Sequence, residues 1–154
     1  MRILMVCLGT ICRSPMADGW LRHRILENGL PLEVDSAGTA NYHVGEQPDS
    51  RMRKYAKEAG VSIENLRARQ FEQADFDKFD RIFVMDKSNM ANVMRLARNE
   101  ADKAKVTLYL NELFPGEDRE VPDPYYGNEH DFRHVIELLD NTTNAFLRNA
   151  GFNN

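Results

Sequence analysis

The 154-residue sequence predicts an α/β fold, a four-stranded parallel sheet with helices on both faces. Three observations carry that reading. Four short apolar runs are each of strand length, and stretches of helical period separate them. The turn after the first run, VCLGTICRSP at 6–15, packs a glycine, two cysteines, an arginine and a serine into a few positions.

The elements follow in order. ILMVC at 3–7 reads as a buried strand, with Leu8 to Arg13 as the loop after it. A helix over 14–28 has Ser14-Pro15 as N-cap and first helical residue and stops at Gly29. LEVDSAG at 32–38 is the second strand, and a helix over 49–59 ends at Gly60. RIFVM at 81–85 is the third strand, and a helix opens near Asp86-Lys87-Ser88 and runs to about 99. VTLYL at 106–110 is the fourth strand. Phe132, Val135, Ile136, Leu139, Phe146 and Leu147 mark a long amphipathic helix over 130–150. No repeat or Pro/Gly/Ser-rich linker divides the chain, so residues 1–154 are expected to form one domain. Such Rossmann-like sheets bind ligands at the carboxyl ends of their strands, where the Cys7–Arg13 turn lies.

Composition narrows the function. The sequence is 42% hydrophobic and 29% charged, as globular chains are. A net charge of −4 argues against a sequence-independent nucleic-acid binder. The apolar start is too short for a secretory leader, and no run reaches the roughly 20 apolar residues of a membrane span, so no membrane insertion is expected. Two cysteines do not make an extracellular disulfide framework, which points to a reducing cytoplasm.

The loop has several physical readings. A tight turn at a helix N-terminus gathers backbone N–H groups into an anion cradle. Gly9 accommodates unusual backbone angles, and Arg13 grips two phosphate oxygens with its planar fork. The positive field favours the thiolate form of a cysteine at the loop's base, where Cys7 sits, and Ser14 can donate a hydrogen bond to it. Cys7 can equally be a small apolar residue at a strand end. A zinc half-site lacks the further ligands it needs. Far along the chain, VPDPYYGN at 121–128 holds Asp123 between two prolines. It reads either as a surface turn or as the source of a carboxylic acid that protonates a leaving oxygen, with Tyr125 and Tyr126 as cleft walls.

Taken together, VCLGTICRSPMAD at 6–18, DSAGT at 35–39, YHVGEQPDSR at 42–51, ARQF at 68–71, FDRIFVMDKSN at 79–89 and DPYYG at 123–127 resemble the low-molecular-weight protein tyrosine phosphatase family in order and spacing. The resemblance implies a protein-tyrosine-phosphate phosphohydrolase with no cofactor and no metal. By it, Cys7 is the nucleophile, Arg13 and the loop Leu8, Gly9, Thr10, Ile11 and Cys12 bind the phosphoryl group, and Asp123 is the general acid and then base. Ser14, Ser36 and Asp86 match the family's supporting residues. Ile11, Tyr42, Tyr125 and Tyr126 would form the slot for a phenyl ring.

The same resemblance suggests Cys12 as a redox partner, closing a reversible disulfide with Cys7. It suggests a phosphotyrosine-containing protein as substrate, a bacterial tyrosine kinase among the candidates. Two positions depart from the family pattern: Thr10 replaces an Asn and Leu66 a His that share one hydrogen-bond network there. Their joint change reads as a coupled loss that leaves a working enzyme. Arsenate reduction needs further cysteines that this chain lacks. A protein arginine phosphatase of the same fold, usually with Thr at position 11, and a phosphotyrosine-binding module with weak catalysis remain the alternatives.

Overall fold

The structure, a computed structural model, describes residues 1–9 and 12–152. Among these residues four parallel strands, β1 (Arg2–Cys7), β2 (Glu33–Gly38), β3 (Arg81–Val84) and β4 (Val106–Leu108), form one sheet in the order β2-β1-β3-β4. The helices are α1 (Arg13–Asn28), α2 (Ser50–Glu58), α3 (Asp75–Lys78), α4 (Lys87–Met94), α5 (Glu100–Ala104) and α6 (Glu129–Asn149). The chain leaves β1 towards β2 on one side and returns to β3 on the other. That reversal opens a crevice at the carboxyl ends of β1 and β3.

Strand alternation makes two apolar layers. Ile3, Met5, Cys7 and Phe83 point to the face covered by α1, α2 and α6, where they join Met16, Trp20, Leu21, Met52, Phe132 and Phe146. Leu4, Val6, Ile82 and Val84 point to the opposite face and pack with Phe76, Phe79 and Val93 from α3, α4 and their flanks. With both faces covered, the strands read as continuous apolar runs rather than as alternating ones.

Three boundaries differ from the sequence expectation. The helix expected from 86 to about 99 stops at Met94, and a separate short helix, α5, starts after Asn99, whose side chain accepts from Asp102 N. Asn and Asp make good caps, so a second cap inside a polar stretch starts a new helix. The fourth strand is only Val106–Leu108, because Tyr109–Glu112 tighten into a 3-10 turn that buries Tyr109 against Phe83, with its hydroxyl 2.8 Å from that of Thr143. The N-cap of α1 is Cys12, not Ser14. Two glycines are structurally required. Gly29 ends α1 at φ 62°, in the left-handed region, and Gly19 lets α1 lie against Ile63, whose Cγ2 a Cβ would strike.

Candidate active site

The crevice is built from four segments. β1 ends at Cys7, which is 3% exposed at the floor. The turn after it is stitched to the end of β2, with Thr39 N donating to Cys7 O and Ala40 N to Leu8 O, both at 2.9 Å. Arg13 then opens α1, and residues 121–128 cross above. Thr10 and Ile11 lie outside the described residues. A cleft of ≈ 240 Å³ results, bounded by Cys7, Gly9, Arg13, Asp123 and the rings of Tyr42 and Tyr125.

Ser14 does not cap the helix; its buried hydroxyl sits 2.9 Å from Cys7 Sγ. Arg13 is 4% exposed, and its Nη1 donates to Asp86 Oδ2 at 2.7 Å and to Val121 O at 3.0 Å. Burial works against its charge, but Cys7, Asp86 and Asp123 outweigh that and hold the guanidinium firmly protonated. Its Nη2 is 3.8 Å from Asp123 Oδ2. Asp86 has two tasks, since its other oxygen accepts from Asn89 N at 2.7 Å in a capping box that starts α4.

Cys12 is buried at the base of α1. Burial pushes its thiol well above the ordinary range, and the charges of Asp49, Asp123 and Cys7 add to that against the pull of Arg51. These effects favour the neutral Cys12 thiol, and no disulfide joins it to Cys7. Asp123 is half-exposed and accepts from Tyr125 N at 3.1 Å. Tyr126 is 96% exposed and Tyr42 72% exposed, so these rings stand at the rim, while Tyr125 is partly buried. Ser36 lies buried on β2 beside Asp18, one turn beyond Ser14 on α1. Asp18 is fully buried, and its Oδ2 has no well-formed hydrogen bond. Burial lifts its pKa, with Arg22 and the nearby Ser36 hydroxyl opposing, to about 6. Leu66 is half-buried and packs on the main core.

Residues 2–152 of the sequence match the family model of the low molecular weight phosphotyrosine protein phosphatases. The chain belongs to that family. A low molecular weight phosphotyrosine protein phosphatase of Schizosaccharomyces pombe is 40% identical over 96% of this chain and 95% of its own. The crystal structure of a protein tyrosine phosphatase from Entamoeba histolytica superposes with a TM-score of 0.89 at 37% identity, covering 97% of this chain and 96% of that one. An arginine phosphatase from Drosophila superposes with a TM-score of 0.90 at 30% identity over 100% of both chains.

The chain shares its overall fold with these solved structures, and in it Cys7 ends the first strand of the α/β sheet. Several neighbours of the site carried no role in the sequence reading. The carbonyl of Val121 receives Arg13, and His43 lines the cleft with its Nδ1 2.6 Å from Glu46 Oε2. Asp49 and Arg51 form a bidentate pair beneath the 121–128 segment. Their spacing, acid then base two residues on at a helix start, is too common to have signalled a role.

Proposed function

We propose that this low molecular weight phosphatase hydrolyses phosphotyrosine in proteins through a cysteinyl-phosphate intermediate. The observation that carries the reading is the gathering of a cysteine, a guanidinium and a carboxyl in one cleft. Cys7 Sγ lies at the floor with the Ser14 hydroxyl at 2.9 Å, the Arg13 guanidinium stands beside it, and Asp123 stands above, 3.8 Å from Arg13. A phosphoryl group seated on Arg13 and the loop would face Cys7 from below and Asp123 from above.

The Cys7 thiolate attacks phosphorus in line, a P–S bond forms and the P–O bond to the phenol breaks. Asp123 gives its proton to the departing oxygen. The resulting carboxylate then takes a proton from water, which attacks phosphorus and expels the Cys7 thiolate. The Ser14 hydroxyl stabilises the sulfur each time it carries charge, and Arg13, held charged by Asp86, stabilises the equatorial oxygens. A nucleophile this deep suits a long, flat phosphate ester, and Tyr42, Tyr125 and Tyr126 supply aromatic walls for its ring.

Within this proposal the substrate is a phosphotyrosine-containing protein, a tyrosine kinase among the candidates, and the enzyme works in a reducing cytoplasm. No helix among the described residues is long and apolar enough to cross a membrane. Cys12, a neutral thiol close in sequence to Cys7, would close a disulfide when an oxidant such as peroxide converts the Cys7 thiolate to sulfenic acid; the Cys12 sulfur displaces hydroxide, and water leaves.

The likeness to an arginine phosphatase keeps one second reading, phosphoarginine hydrolysis by the same cysteine. Turnover of para-nitrophenyl phosphate against phosphoarginine, for wild type, Cys7→Ser and Asp123→Ala, separates the two. Aryl phosphate hydrolysis abolished by Cys7→Ser and strongly reduced by Asp123→Ala is expected. Preference for phosphoarginine would overturn the substrate, and phosphate binding without turnover would leave a binding module.

A further inference from the structure

We propose that Arg51 is a positioning residue that sets the height of the Asp123 carboxyl over the phosphoryl group. The inference rests on Asp123 acting as general acid and base. The segment carrying Asp123 has no regular secondary structure, so its position depends on side-chain and backbone ties at its two ends. At the near end Val121 N donates to Met85 O at 2.8 Å and Val121 O accepts from Arg13. At the far end Asn128 caps α6, and its N–H donates to Asp131 Oδ2 at 3.0 Å.

Between them, the turn that follows Asp123 is held from α2. Arg51 Nη2 donates to Tyr125 O at 2.7 Å, and Nη1 reaches Gly127 O at 3.5 Å. The guanidinium is itself fixed before it grips the turn. Asp49 receives Nε at 3.1 Å and Nη2 at 2.9 Å, and the cation lies 4.5 Å from the Phe132 ring centre and 5.8 Å from that of Tyr125. Asp49 is fixed in turn, because it caps α2 by accepting from Arg51 N at 2.8 Å. Burial works to raise its carboxyl, but the hydrogen bonds from Arg51 win and hold it below the usual carboxylate range, so it stays a full anionic partner at working pH.

A planar fork locked by a carboxylate and two rings holds a backbone carbonyl at a defined place, which a lysine's single ammonium does not. Tyr125, the residue whose carbonyl is held, also donates its N–H to Asp123 Oδ1, so the clamp reaches the acid through one residue. Proton transfer to the leaving oxygen needs heavy atoms within about 3.2 Å. A clamp that fixes the turn therefore acts on the protonation step and not on phosphate binding at the Cys7 loop.

The test is a double-mutant cycle of Arg51→Ala with Asp123→Ala, read as kcat/KM over aryl phosphates of graded leaving-group acidity, with inorganic phosphate inhibition measured alongside. Arg51→Ala is expected to lower kcat/KM by roughly 10- to 100-fold on poor leaving groups and much less on good ones, with the phosphate inhibition constant within about twofold of wild type. In the Asp123→Ala background the same change should cost less than about twofold. Arg51→Lys, which keeps the charge and the fold, should behave like Arg51→Ala. An equal loss in both backgrounds, a loss independent of the leaving group, or a lysine variant with wild-type rates would each overturn the assignment. If Asp123→Ala itself leaves turnover intact, the general-acid reading fails, and this inference falls with it.

Discussion

Replacing Asp86 separates two jobs that one side chain performs. Its Oδ2 accepts from Arg13 Nη1 at 2.7 Å, and its Oδ1 accepts from Asn89 N at 2.7 Å. Arg13 is 4% exposed, while the Asp86 side chain is 20% exposed, so the pair is largely removed from water. Asp86→Asn keeps an N-cap oxygen, since Asn caps as well as Asp, but removes the charge opposite a buried guanidinium. A charge-assisted hydrogen bond contributes about 1.5–3 kcal/mol, and a buried cation left short of its anion costs towards the upper end. Val121 O still receives Arg13, which argues for the lower half of that range. Asp86→Ala removes the cap as well and should cost about 1 kcal/mol more.

Urea unfolding followed by circular dichroism reads both values from midpoint shifts at constant m. The expected order is wild type, then Asp86→Asn about 2 kcal/mol lower, then Asp86→Ala about 3 kcal/mol lower. Turnover should fall in both variants, because Arg13 loses its orientation. Asp86→Asn at wild-type stability would refute the buried ion pair, and equal values for the two variants would refute the cap.

Other outcomes follow from the same geometry. Ser14→Ala removes the hydroxyl 2.9 Å from Cys7 Sγ and should lower kcat on para-nitrophenyl phosphate by about 10- to 100-fold, the value of a hydrogen bond to a charged group. An unchanged kcat would show that the hydroxyl does not serve the sulfur. Burial lifts the Asp18 pKa from the ordinary 3.8 to about 6 in the folded protein, so its contribution is full below the unfolded value and is lost as pH rises towards 6. Relative to Asp18→Asn, wild type should thus lose about 3 kcal/mol between pH 4 and 6 and change little above, as calorimetry of both proteins would show. A constant difference across that interval would place the carboxyl in contact with water. Gly19→Ala should cost about 1–3 kcal/mol by driving a methyl into Ile63 Cγ2, and adding Ile63→Ala should recover part of that loss in thermal unfolding. Thr10→Asn alone should change kcat by less than tenfold, since Leu66, half-buried against the core, offers its side chain no hydrogen bond.

What the sequence determined by itself is the local order of the chain. Apolar runs covered on both faces announced β1, β2 and β3 within a residue or two, and Gly29 and Gly60 closed their helices where left-handed backbone was needed. Cys7, Arg13 and Asp123, the residues proposed as nucleophile, phosphate ligand and acid, stood out because their neighbours are short-range features: a strand, a glycine turn, a helix start, a proline-flanked Asp. The break at Met94 was not, because two competing caps, Asp86 and Asn99, lie in a stretch with one continuous helical period. Nor was the shortening of β4, where burial of Tyr109 against Phe83 overrides a strand-like VTLYL. Above all, two side-chain ties of the segment that carries Asp123 come from more than 70 positions away, as Arg51 meets Tyr125 and Arg13 meets Val121. Such pairs exist only once the sheet has been wound in the order β2-β1-β3-β4, which brings the ends of β1 and β3 to one crevice and sets α2 beneath its rim. Periodicity records which face of an element is buried; it carries no record of what the other elements bring to meet it.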